Sequence, residues 1–534
     1  MIPLHIHSYF TLLKGTTSPE KLISKAVEYN LKVIAITDTN SMQGVIQFVK
    51  HAKENKIKPI IGTTITDTQD DNLYAILLAK NNKGYRDICK IITARKLNDD
   101  FSLIKTLENN LPNLFIISPS IEIAISVYPK NDFYLELITT RKQRSNNRKR
   151  FEFAESNSIK TVASNPVFVL NPEDRDIHKT VTAIRLNASI DNLIEEDIVD
   201  EEFYFKNPKL IEKKWASLPD TLNASEYIAE NCNTDIKLNE YKFPFYSLPP
   251  GETSDSLLWK ESFKGLNEKY DKITDVIKDR LEMEFSVIKE MGFCDYFLIV
   301  WDIVNEAKNR GMLTIGRGSA ANSLAAYCLG ITQIDPIEQN LYFERFLNKA
   351  RSSPPDFDID FSWKERDEII KYIFEKYGYE NVAMISTTVT FRARSAFRET
   401  AKAFGFTNTE ISRFSRRIPW TSAKNLPNLS KLFPESKGLK FNIEPWKSII
   451  DIASKIAGFP RHLSIHPGGI VITPTKITDY VALEYAKNKG LGLIVTQPDM
   501  YSIEDLGLIK IDILSQRSLG VLRDTMESIK NNPE

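Results

Sequence analysis

The sequence has few cysteines, and their spacing suggests no pairing. The four thiols are far apart and include no Cys-x-x-Cys pair: Cys89, Cys232, Cys294 and Cys328. This spacing argues against a disulfide framework and against a thiolate zinc site. Four buried apolar thiols in a cytoplasmic protein are the simplest interpretation.

The sequence also lacks an excess of charge and a long apolar run. Lys and Arg together number 70, and so do Asp and Glu, so the formal net charge is zero. Nucleic-acid binding would therefore have to come from local basic patches. The apolar run at residues 296–301 is too short to span a bilayer, and residues 1–5 lack the start of a signal peptide. We expect a cytoplasmic protein with no membrane partner.

Length and composition indicate several globular domains. A chain of 534 residues corresponds to about three or four domains. Its content of 42% apolar and 26% charged residues is ordinary for a globular protein. These values exclude a disordered or collagen-like chain.

The first sixty residues alternate extended and helical signals. Strands are predicted at residues 4–7, 32–37 and 59–61, and helices after Ser18-Pro19 and over residues 41–54. The strand at 32–37 is apolar at nearly every position, which is typical of burial on both faces. Repetition of strand, helix and strand predicts a parallel α/β architecture, either a barrel or a doubly wound sheet.

Two segments are strongly basic. Residues 141–150 carry six basic side chains in ten positions, which fits either a solvated helix face or phosphate contacts. Residues 386–424 carry eight basic side chains against two acidic ones. This second excess is the footprint expected for a phosphate backbone, although a plain surface helix could also carry it. Its candidate DNA contacts are Arg392, Arg394, Arg398, Arg416 and Arg417.

Residues 355–361 alternate between acidic and apolar side chains. A strand would place Asp356, Asp358 and Asp360 on one face, and Phe357, Ile359 and Phe361 on the other. Three carboxylates on one strand face repel one another, and Asp is disfavoured in strands. A hard divalent cation such as Mg²⁺ would explain the arrangement, because it binds carboxylates together with substrate phosphates. An exposed acidic edge strand is the alternative.

Residues 508–514 form a second alternating segment. Its three isoleucines would face a core, which leaves Lys510 and Asp512 together on the opposite face. By itself this is an ordinary amphipathic strand. Beside the acidic strand, it would add a carboxylate and a cation for a phosphate.

A glycine turn precedes both of these segments. Residues 314–319 indicate a strand that ends in a turn with Gly316, Gly318 and Ser319, and residues 320–327 indicate a helix. With Ser319 as N-cap, the N–H groups of the helix start would attract phosphate, and Arg317 would add a bidentate donor. A turn of this kind is also common as a simple tight connection.

Together these segments resemble the palm of the bacterial replicative DNA polymerase III alpha subunit, a C-family polymerase. The matching motifs are residues 316–321, 341–348, 355–361, 461–472 and 510–512. The resemblance extends over essentially the whole chain. It implies a polymerase-beta-like nucleotidyltransferase palm of the α+β class, with the basic residues 386–424 in a helical thumb insertion.

The resemblance also implies a role for individual residues. The implied catalytic and metal-binding residues are Asp358, Asp360 and Asp512, and the implied nucleotide-binding residues are Arg317, Gly318, Ser319 and Lys510. Asp356 matches a family aspartate that is not a ligand, and His466 is either a contact to the nucleic-acid strand or a buried structural histidine. Two Mg²⁺ ions would bind with the substrate. The implied partners are primer–template DNA, deoxynucleoside triphosphates and other polymerase III holoenzyme subunits.

The N-terminal region resembles the PHP domain of the same family, a metal-dependent phosphoesterase fold of the distorted β/α-barrel type. Three residues match metal-ligand positions: His5, His7 and Asp38. However, Thr39 and Thr64 stand where active relatives have His and Glu, and residues 165–168 replace an Asp and a His. We therefore predict a degenerate, structural PHP domain without a tight metal cluster. His178 is expected to pack or cap rather than to bind metal.

The predicted fold is α/β and has four segments. They are the PHP domain at 1–205, the first part of the palm with a helical lead-in at 206–385, the thumb at 386–465 and the second part of the palm at 466–534. Members of the family continue into fingers, so we expect a truncated or split DNA-directed DNA polymerase, with a separate chain as one source of the fingers. A non-catalytic DNA- or replisome-binding fragment and a PHP-type metal-dependent phosphoesterase are the alternatives.

Overall fold

A computed structural model describes residues 1–349, 355–439, 441–486 and 493–531. Its contacts divide the chain into two units. Unit 1 consists of Met1–Ile236, Thr387–Ser464 and Val481–Asn488, and unit 2 of Lys237–Ser386, Ile465–Tyr480 and Lys489–Glu534. Most of the predicted thumb thus belongs to the same unit as the N-terminal region. The boundaries of the four predicted domains remain a prediction.

The N-terminal part of unit 1 contains a six-stranded sheet in which the strands follow chain order. They are β1 (Val33–Ile36), β2 (Lys58–Thr66), β3 (Tyr74–Ala79), β4 (Leu114–Ser118), β5 (Asp132–Ile138) and β6 (Lys160–Ser164). The sheet is mixed rather than all parallel, because β3 is antiparallel to both of its neighbours. The connection between β2 and β3 is too short for the crossover that a parallel pair needs.

The segment before β1 joins the two edges of this sheet. The predicted strand at 4–7 is an isolated bridge instead, in which Ile6 pairs in parallel with Val167 just after β6. The Ile6 carbonyl also accepts a hydrogen bond from the Thr37 N–H, just after β1, at 2.7 Å. The sheet therefore closes on itself, as in a distorted barrel.

Helices connect and flank these strands. They are α1 (Pro19–Glu28), α2 (Val45–Glu54), α3 (Asn82–Leu97), α4 (Leu103–Leu107), α5 (Ile121–Val127), α6 (Arg144–Ser156), α7 (Arg175–Leu186), α8 (Pro208–Lys214) and α9 (Pro219–Asn231). The start of α1 confirms the prediction, since the Ser18 side chain accepts a hydrogen bond from the Lys21 N–H at 3.3 Å. Helix α2 begins later than the predicted residue 41.

The chain then enters unit 2, which begins with helices. Its next elements are α10 (Ser254–Lys269), α11 (Asp275–Glu290), α12 (Cys294–Asn309), β7 (Thr314–Arg317), α13 (Leu324–Cys328), β8 (Asp358–Ser362), α14 (Arg366–Tyr377) and β9 (Val382–Thr390). Helix α12 is buried along much of its length, and its Phe297 ring packs edge-on against Phe357 with centroids 5.0 Å apart. This packing buries the apolar side of the segment that leads into β8.

Residues 387–464 of unit 1 are mostly helical. They form α15 (Ala393–Ala403), α16 (Asn408–Ser415), α17 (Leu429–Leu432) and α18 (Trp446–Lys455). Helix α15 packs against α7 and α18 around a core that includes Phe397 and Ile449. The apolar faces of these helices are thus buried within unit 1.

The remaining elements complete the second sheet. They are β10 (Pro460–Ile472), β11 (Leu483–Tyr485), β12 (Ile494–Asp499), α19 (Met500–Asp505), β13 (Lys510–Gln516) and α20 (Arg517–Asn531). In unit 2, six strands lie side by side in the order β12-β9-β10-β13-β8-β7. Strand β8 is parallel to β13 and antiparallel to β7.

Two expectations about the chain as a whole can be compared with the structure. The four cysteines are free and buried, which confirms the interpretation of their spacing. Within the described ranges, no helix is both long enough and apolar enough to cross a membrane.

The helix after the glycine turn begins later than predicted, and a buried carboxylate covers its first turn. Gly318–Asn322 is a 3-10 helix, and α13 follows with Ser323 as N-cap. Glu284 accepts hydrogen bonds from the Leu324 N–H at 2.9 Å and from the next N–H at 3.0 Å. The prediction that Ser319 caps an open helix start is therefore wrong, because Glu284 already satisfies the free N–H groups there.

We expect Glu284→Ala to lower the free energy of unfolding by about 3–5 kcal/mol. The Glu284 side chain is fully buried and also accepts a hydrogen bond from Arg280 Nε at 2.6 Å. Its removal takes the carboxylate partner from Arg280 Nε, whose guanidinium still donates to the Asn322 and Leu341 carbonyls, and leaves two helix N–H groups without a partner. Urea unfolding of the purified chain measures the change. Glu282→Ala, at an exposed position of the same helix, is the control, and an equal loss in both variants would contradict the assignment.

Candidate active site

The acidic strand and the second alternating strand lie side by side in unit 2. Strand β8 pairs with β13 so that Asp358 lies directly opposite Asp512. On its other side, β8 pairs with β7, which places Arg317 opposite Asp358. The structure thus brings together three predicted site residues that are far apart in the sequence.

The two sides of β8 have the predicted character, but the strand begins later than predicted. Its buried apolar side chains include Ile359 and Phe361, and Phe357 just before the strand is buried as well. Because β8 starts at Asp358, Asp356 precedes the strand and is exposed. Only two of the three aspartates therefore belong to the strand itself.

The carboxylates of the site have too few hydrogen-bond donors. The residues Asp360 and Asp512 are 6% and 7% exposed, and Oδ1 of each has no hydrogen-bond partner among the residues that the structure describes. Burial, and next the negative charge of Asp512, raise the pKa of Asp358 above its ordinary value, while Arg317 opposes the shift. A cation would stabilise this arrangement because it would supply the missing partner.

Two basic side chains offset part of the negative charge. Lys510 Nζ donates a hydrogen bond to Asp512 Oδ2 at 2.9 Å, and Arg317 Nε lies 3.4 Å from Asp360 Oδ1. Burial acts to lower the pKa of Lys510, but the hydrogen bond and charge of Asp512 raise it above its usual value. Lys510 is therefore a fixed positive charge. The Arg317 side chain is half exposed and free to turn toward an anion.

Gly318 brings the backbone of the turn close to the carboxylates. Its φ of +73° lies in the left-handed region that favours glycine, and a Cβ there would lie 3.5 Å from Asp358 Oδ2. A side chain at this position would fill the space above Asp358. The glycine leaves that space open to a substrate group.

His466 lies beside Asp512 and is held by its own loop. Its Nδ1 accepts hydrogen bonds from the Gly469 N–H at 2.7 Å and the Gly468 N–H at 3.3 Å, and lies 3.6 Å from Asp512 Oδ1. Burial lowers the pKa of His466, although the charge of Asp512 acts in the opposite direction. Since Nδ1 is an acceptor, the ring is neutral. These hydrogen bonds hold the loop beside Asp512, and a contact between His466 and the nucleic-acid strand stays a prediction.

Tyr296 of α12 connects the two carboxylate strands from their buried side. Its hydroxyl lies 3.1 Å from the Pro355 carbonyl oxygen, just before β8, and 3.0 Å from the Lys510 carbonyl oxygen at the start of β13. The pattern of the sequence did not single out this residue, because it lies within a continuous apolar run. Its hydroxyl helps to fix the separation of Asp358 and Asp512.

The donor set of the site fits a hard divalent cation. Carboxylate oxygens are the ligands that Mg²⁺ prefers, and the unpaired oxygens of Asp360 and Asp512 are buried and available. Within the described part of the chain, no group of three or more His, Cys, Asp or Glu side chains is arranged so that it could hold a metal ion. Such a partial set is typical of Mg²⁺, which binds one or two carboxylates and completes its coordination with water and substrate phosphates.

The arginines predicted to contact DNA differ in their surroundings. Three of them donate hydrogen bonds at 2.7–3.3 Å to oxygens within unit 1: Arg394, Arg398 and Arg417. Arg392 and Arg416 are exposed, and neither side chain donates a hydrogen bond to any other described residue. The first three stabilise the helical region, and the last two are available to an external anion.

In the N-terminal barrel, Asp38 is surrounded by donors of its own chain. Its carboxylate accepts hydrogen bonds from the Ser8 N–H at 2.6 Å, the Ser8 hydroxyl at 2.7 Å and the Thr11 hydroxyl at 2.8 Å. Burial raises the pKa of Asp38 to about 6, against these hydrogen bonds. Both oxygens are engaged, so Asp38 is not free to bind a metal.

Glu136 is a buried carboxylate that the sequence analysis missed. It is fully buried in β5, with Oε1 at 2.8 Å from His5 Nδ1 and Oε2 accepting from the Tyr74 hydroxyl at 3.1 Å. The Ser164 hydroxyl donates to it as well. An acid within the otherwise apolar residues 133–138 was the signal in the sequence. Glu136, like Asp38, has its oxygens engaged.

His7 lines a cavity of about 700 Å³ at this barrel. The ring stacks on Phe168 with centroids 4.0 Å apart, and its Nε2 is buried without a partner in the described ranges. The same cavity contains Lys14, whose pKa is lowered by burial and by the nearby Arg185. The positive charge of Lys14 acts on His7 and does not favour a metal cluster there.

His178 has a structural role, as expected. Its Nδ1 lies 2.8 Å from the Lys14 carbonyl oxygen, and its Nε2 accepts a hydrogen bond from the Val199 N–H at 3.1 Å. Burial lowers the pKa of His178 to about 4. The neutral ring therefore connects two loops of unit 1.

Comparisons with protein families match most of the chain. The model described as the bacterial DNA polymerase III alpha NTPase domain matches residues 256–515, and the PHP domain model matches residues 3–119. The first match contains all the carboxylates and basic residues of the site in unit 2, and the second contains His5, His7 and Asp38. The fold is therefore a PHP domain combined with a polymerase-type palm.

Curated relatives align along almost the whole chain. An error-prone DNA polymerase of Symbiobacterium thermophilum is 32% identical over 99% of this chain and 52% of its own length. The DNA polymerase III subunit alpha of Bacillus subtilis is 34% identical over 99% of this chain and 49% of its own. The DNA polymerase III subunit alpha of Borreliella burgdorferi is 34% identical over 100% of this chain and 50% of its own length. The chain thus spans about half the length of these relatives, and it belongs to the bacterial DNA polymerase III alpha family.

Proposed function

We propose that the chain is the PHP, palm and thumb portion of a replicative DNA polymerase and takes part in template-directed DNA synthesis. The observation that carries this proposal is the pairing of Asp358 and Asp512 on adjacent strands, with Arg317 on the next strand. This pairing places Asp358, together with Asp512, whose Oδ1 accepts no hydrogen bond from a described residue, beside a half-exposed arginine and an open glycine turn. The names of the curated relatives support the same reaction.

The proposed reaction is nucleotidyl transfer to a primer. The 3′-hydroxyl oxygen attacks the α-phosphorus of a deoxynucleoside triphosphate, a P–O bond forms, and the bond to pyrophosphate breaks. The hydroxyl proton passes to water. Positioning and electrostatics provide most of the catalysis in such transfers, so a dedicated side-chain base is not required.

The carboxylates would hold the metal ions of this reaction. Two Mg²⁺ ions, bound with the substrate by Asp358, Asp360 and Asp512, would activate the hydroxyl and neutralise charge on the leaving group. Lys510 keeps the Asp512 carboxylate oriented through its 2.9 Å hydrogen bond.

The glycine turn would bind the triphosphate. Arg317 has a half-exposed side chain and can exchange its contact with Asp360 for a bidentate contact to phosphate. The backbone N–H groups of Gly318 and Ser319 would contribute donors, since Glu284 excludes the start of α13 from this role. Lys510 would add a further positive charge.

The helical segment of unit 1 would bind primer–template DNA. The side chains of Arg392 and Arg416 are exposed and donate no hydrogen bond to another described residue, so they are the first candidates for phosphate contacts. Arg394, Arg398 and Arg417 would support the surface that presents them. We further propose the domain boundaries 1–205, 206–385, 386–465 and 466–534, and other polymerase III holoenzyme subunits as partners in the cytoplasm.

We expect Asp358→Asn and Asp512→Asn to slow primer extension by about 100–1000-fold, because each removes a charge needed to stabilise the transition state. Asp356→Asn is the matched control: it lies in the same motif but is exposed and precedes the strand. Single-turnover extension of a labelled primer with excess protein, Mg²⁺ and all four nucleotides is the measurement. If Asp356→Asn slows extension as much as Asp358→Asn does, the assignment of the metal-binding aspartates is wrong.

We expect the stability gain of Asp358→Asn to depend on pH. The pKa of Asp358 is raised in the folded chain, so ionisation of its carboxylate lowers stability as pH rises through the ordinary carboxylate range. The neutral amide avoids this loss. The thermal midpoint of the variant in metal-free buffer should therefore exceed that of the parent at neutral pH, and the difference should vanish in acid. A gain that grows toward low pH would show that the sign is wrong.

We expect the PHP domain to retain no metal cluster, because Asp38 and Glu136 are already engaged by internal donors. Elemental analysis of the purified chain after dialysis should find less than one equivalent of zinc or manganese. Hydrolysis of a nitrophenyl phosphate with added Mn²⁺ should likewise be absent. Two or three retained equivalents, or hydrolysis that is lost in His7→Ala, would instead support the phosphoesterase alternative.

A further inference from the structure

A strongly basic pocket lies on unit 1, apart from the two sites described above. Its cavity has a volume of about 1000 Å³. Five basic side chains line it, namely Arg141, Arg175, Lys206, Lys213 and Lys214, against the two acids Glu201 and Glu202. The lining therefore has an excess of three positive charges in a chain whose net charge is zero.

Both acids of the pocket are already paired. Glu202 binds Lys206 at 2.9 Å, and Glu201 binds Arg175 at 3.1 Å. Glu202 also accepts a hydrogen bond from the Arg141 backbone N–H at 2.8 Å. No carboxylate of the lining is thus left for the other cations.

Three basic side chains remain without a partner. The side chains of Arg141, Lys213 and Lys214 are exposed, and none makes a hydrogen bond or ion pair with another residue of the described ranges. They come from two separate parts of the chain, the loop after β5 and the end of α8. The fold therefore gathers three cations that no carboxylate of the lining contacts directly.

Burial and the charges around the pocket shift the pKa of Lys206. Burial lowers the pKa of Lys206, and the nearby charge of Lys214 lowers it further, against the stabilising contact with Glu202. Like charges that line the same pocket repel one another. An anion bound among them would remove the repulsion.

The pocket also offers apolar and aromatic surface beside the cations. Leu210 is 63% exposed at its rim, and Tyr29 and Tyr204 contribute to its wall. Exposed apolar surface next to unpaired basic side chains fits a ligand that has a flat or apolar part and an anionic part. The cavity is large enough for a small organic ligand.

We propose that this pocket binds phosphate groups, carried either by a free nucleotide polyphosphate or by a short stretch of nucleic-acid strand. Arg141 would bind phosphate oxygens in a bidentate manner, and Lys213 and Lys214 would act as point charges. This role also explains part of the basic segment 141–150, which the polymerase reaction leaves unused. The pocket shares no residue with the carboxylate site of unit 2, so it stands or falls independently of the polymerase assignment.

The test compares two variants of α8. Lys213→Ala with Lys214→Ala removes two pocket cations, and Lys209→Ala removes one exposed lysine of the same helix that does not line the pocket. Calorimetry at about 0.15 M salt measures binding of inorganic triphosphate and of an oligothymidylate of about 12 nucleotides. We expect the double variant to weaken binding of at least one probe about tenfold, and Lys209→Ala to leave it unchanged. The thermal midpoints should stay equal, because all three lysines are exposed.

The binding results for the two probes distinguish a free nucleotide polyphosphate from a nucleic-acid strand. Weakened triphosphate binding in the double variant identifies a free nucleotide polyphosphate as the ligand type. A loss limited to the oligonucleotide identifies a strand. Arg141→Ala repeats the test from the other wall of the pocket, and remains informative if the double variant fails to fold. Unchanged binding of both probes in these variants, or an equal loss in Lys209→Ala, overturns the proposal.

Discussion

The pairing of β8 with β13 holds Asp358 and Asp512 opposite each other, and the carboxylate site of unit 2 depends on this register. Like charges on adjacent strands repel, so the register that places them opposite each other must be held by other forces. The opposite faces of β8 and β13 bury Ile359, Phe361 and Ile513, and each such side chain contributes about 1.5–3 kcal/mol by burial. A slip of one residue would exchange these side chains with the carboxylates of the other face. Apolar packing thus maintains an arrangement that electrostatics alone would separate.

The two acidic sites of the chain differ in the hydrogen-bond donors that surround their carboxylates. In the barrel of unit 1, Asp38 accepts three hydrogen bonds from Ser8 and Thr11. In unit 2, Asp360 and Asp512 each keep a buried oxygen without a donor in the described ranges. Both oxygens of Asp38 are thus already engaged, whereas the Oδ1 atoms of Asp360 and Asp512 can accept a cation. Donor supply, more than the presence of acids, decides which site is suited to metal chemistry.

The sequence predicts those features that depend on short-range periodicity. Alternation along residues 355–361 and 508–514 identified both strands and their buried faces, and Ser18-Pro19 identified the start of α1. It could not predict that β8 begins at Asp358, because the end of a strand depends on where its neighbours stop pairing. It also missed Glu284 as the partner of α13, since the two are distant in sequence and meet only through tertiary packing. The family resemblance supplied the roles of the aspartates, which periodicity alone left open.

The hydroxyl of Tyr296 has a consequence for the mechanics of the carboxylate site. One oxygen lies within hydrogen-bond distance of backbone carbonyls at the beginnings of both carboxylate strands, at Pro355 and Lys510. A displacement of α12 is therefore transmitted to the two strands in common rather than to one of them. The position of the pair can fluctuate with its helix while the gap between the carboxylates changes little. The proposed metal site can thus keep the separation of its carboxylates when the helix behind it moves.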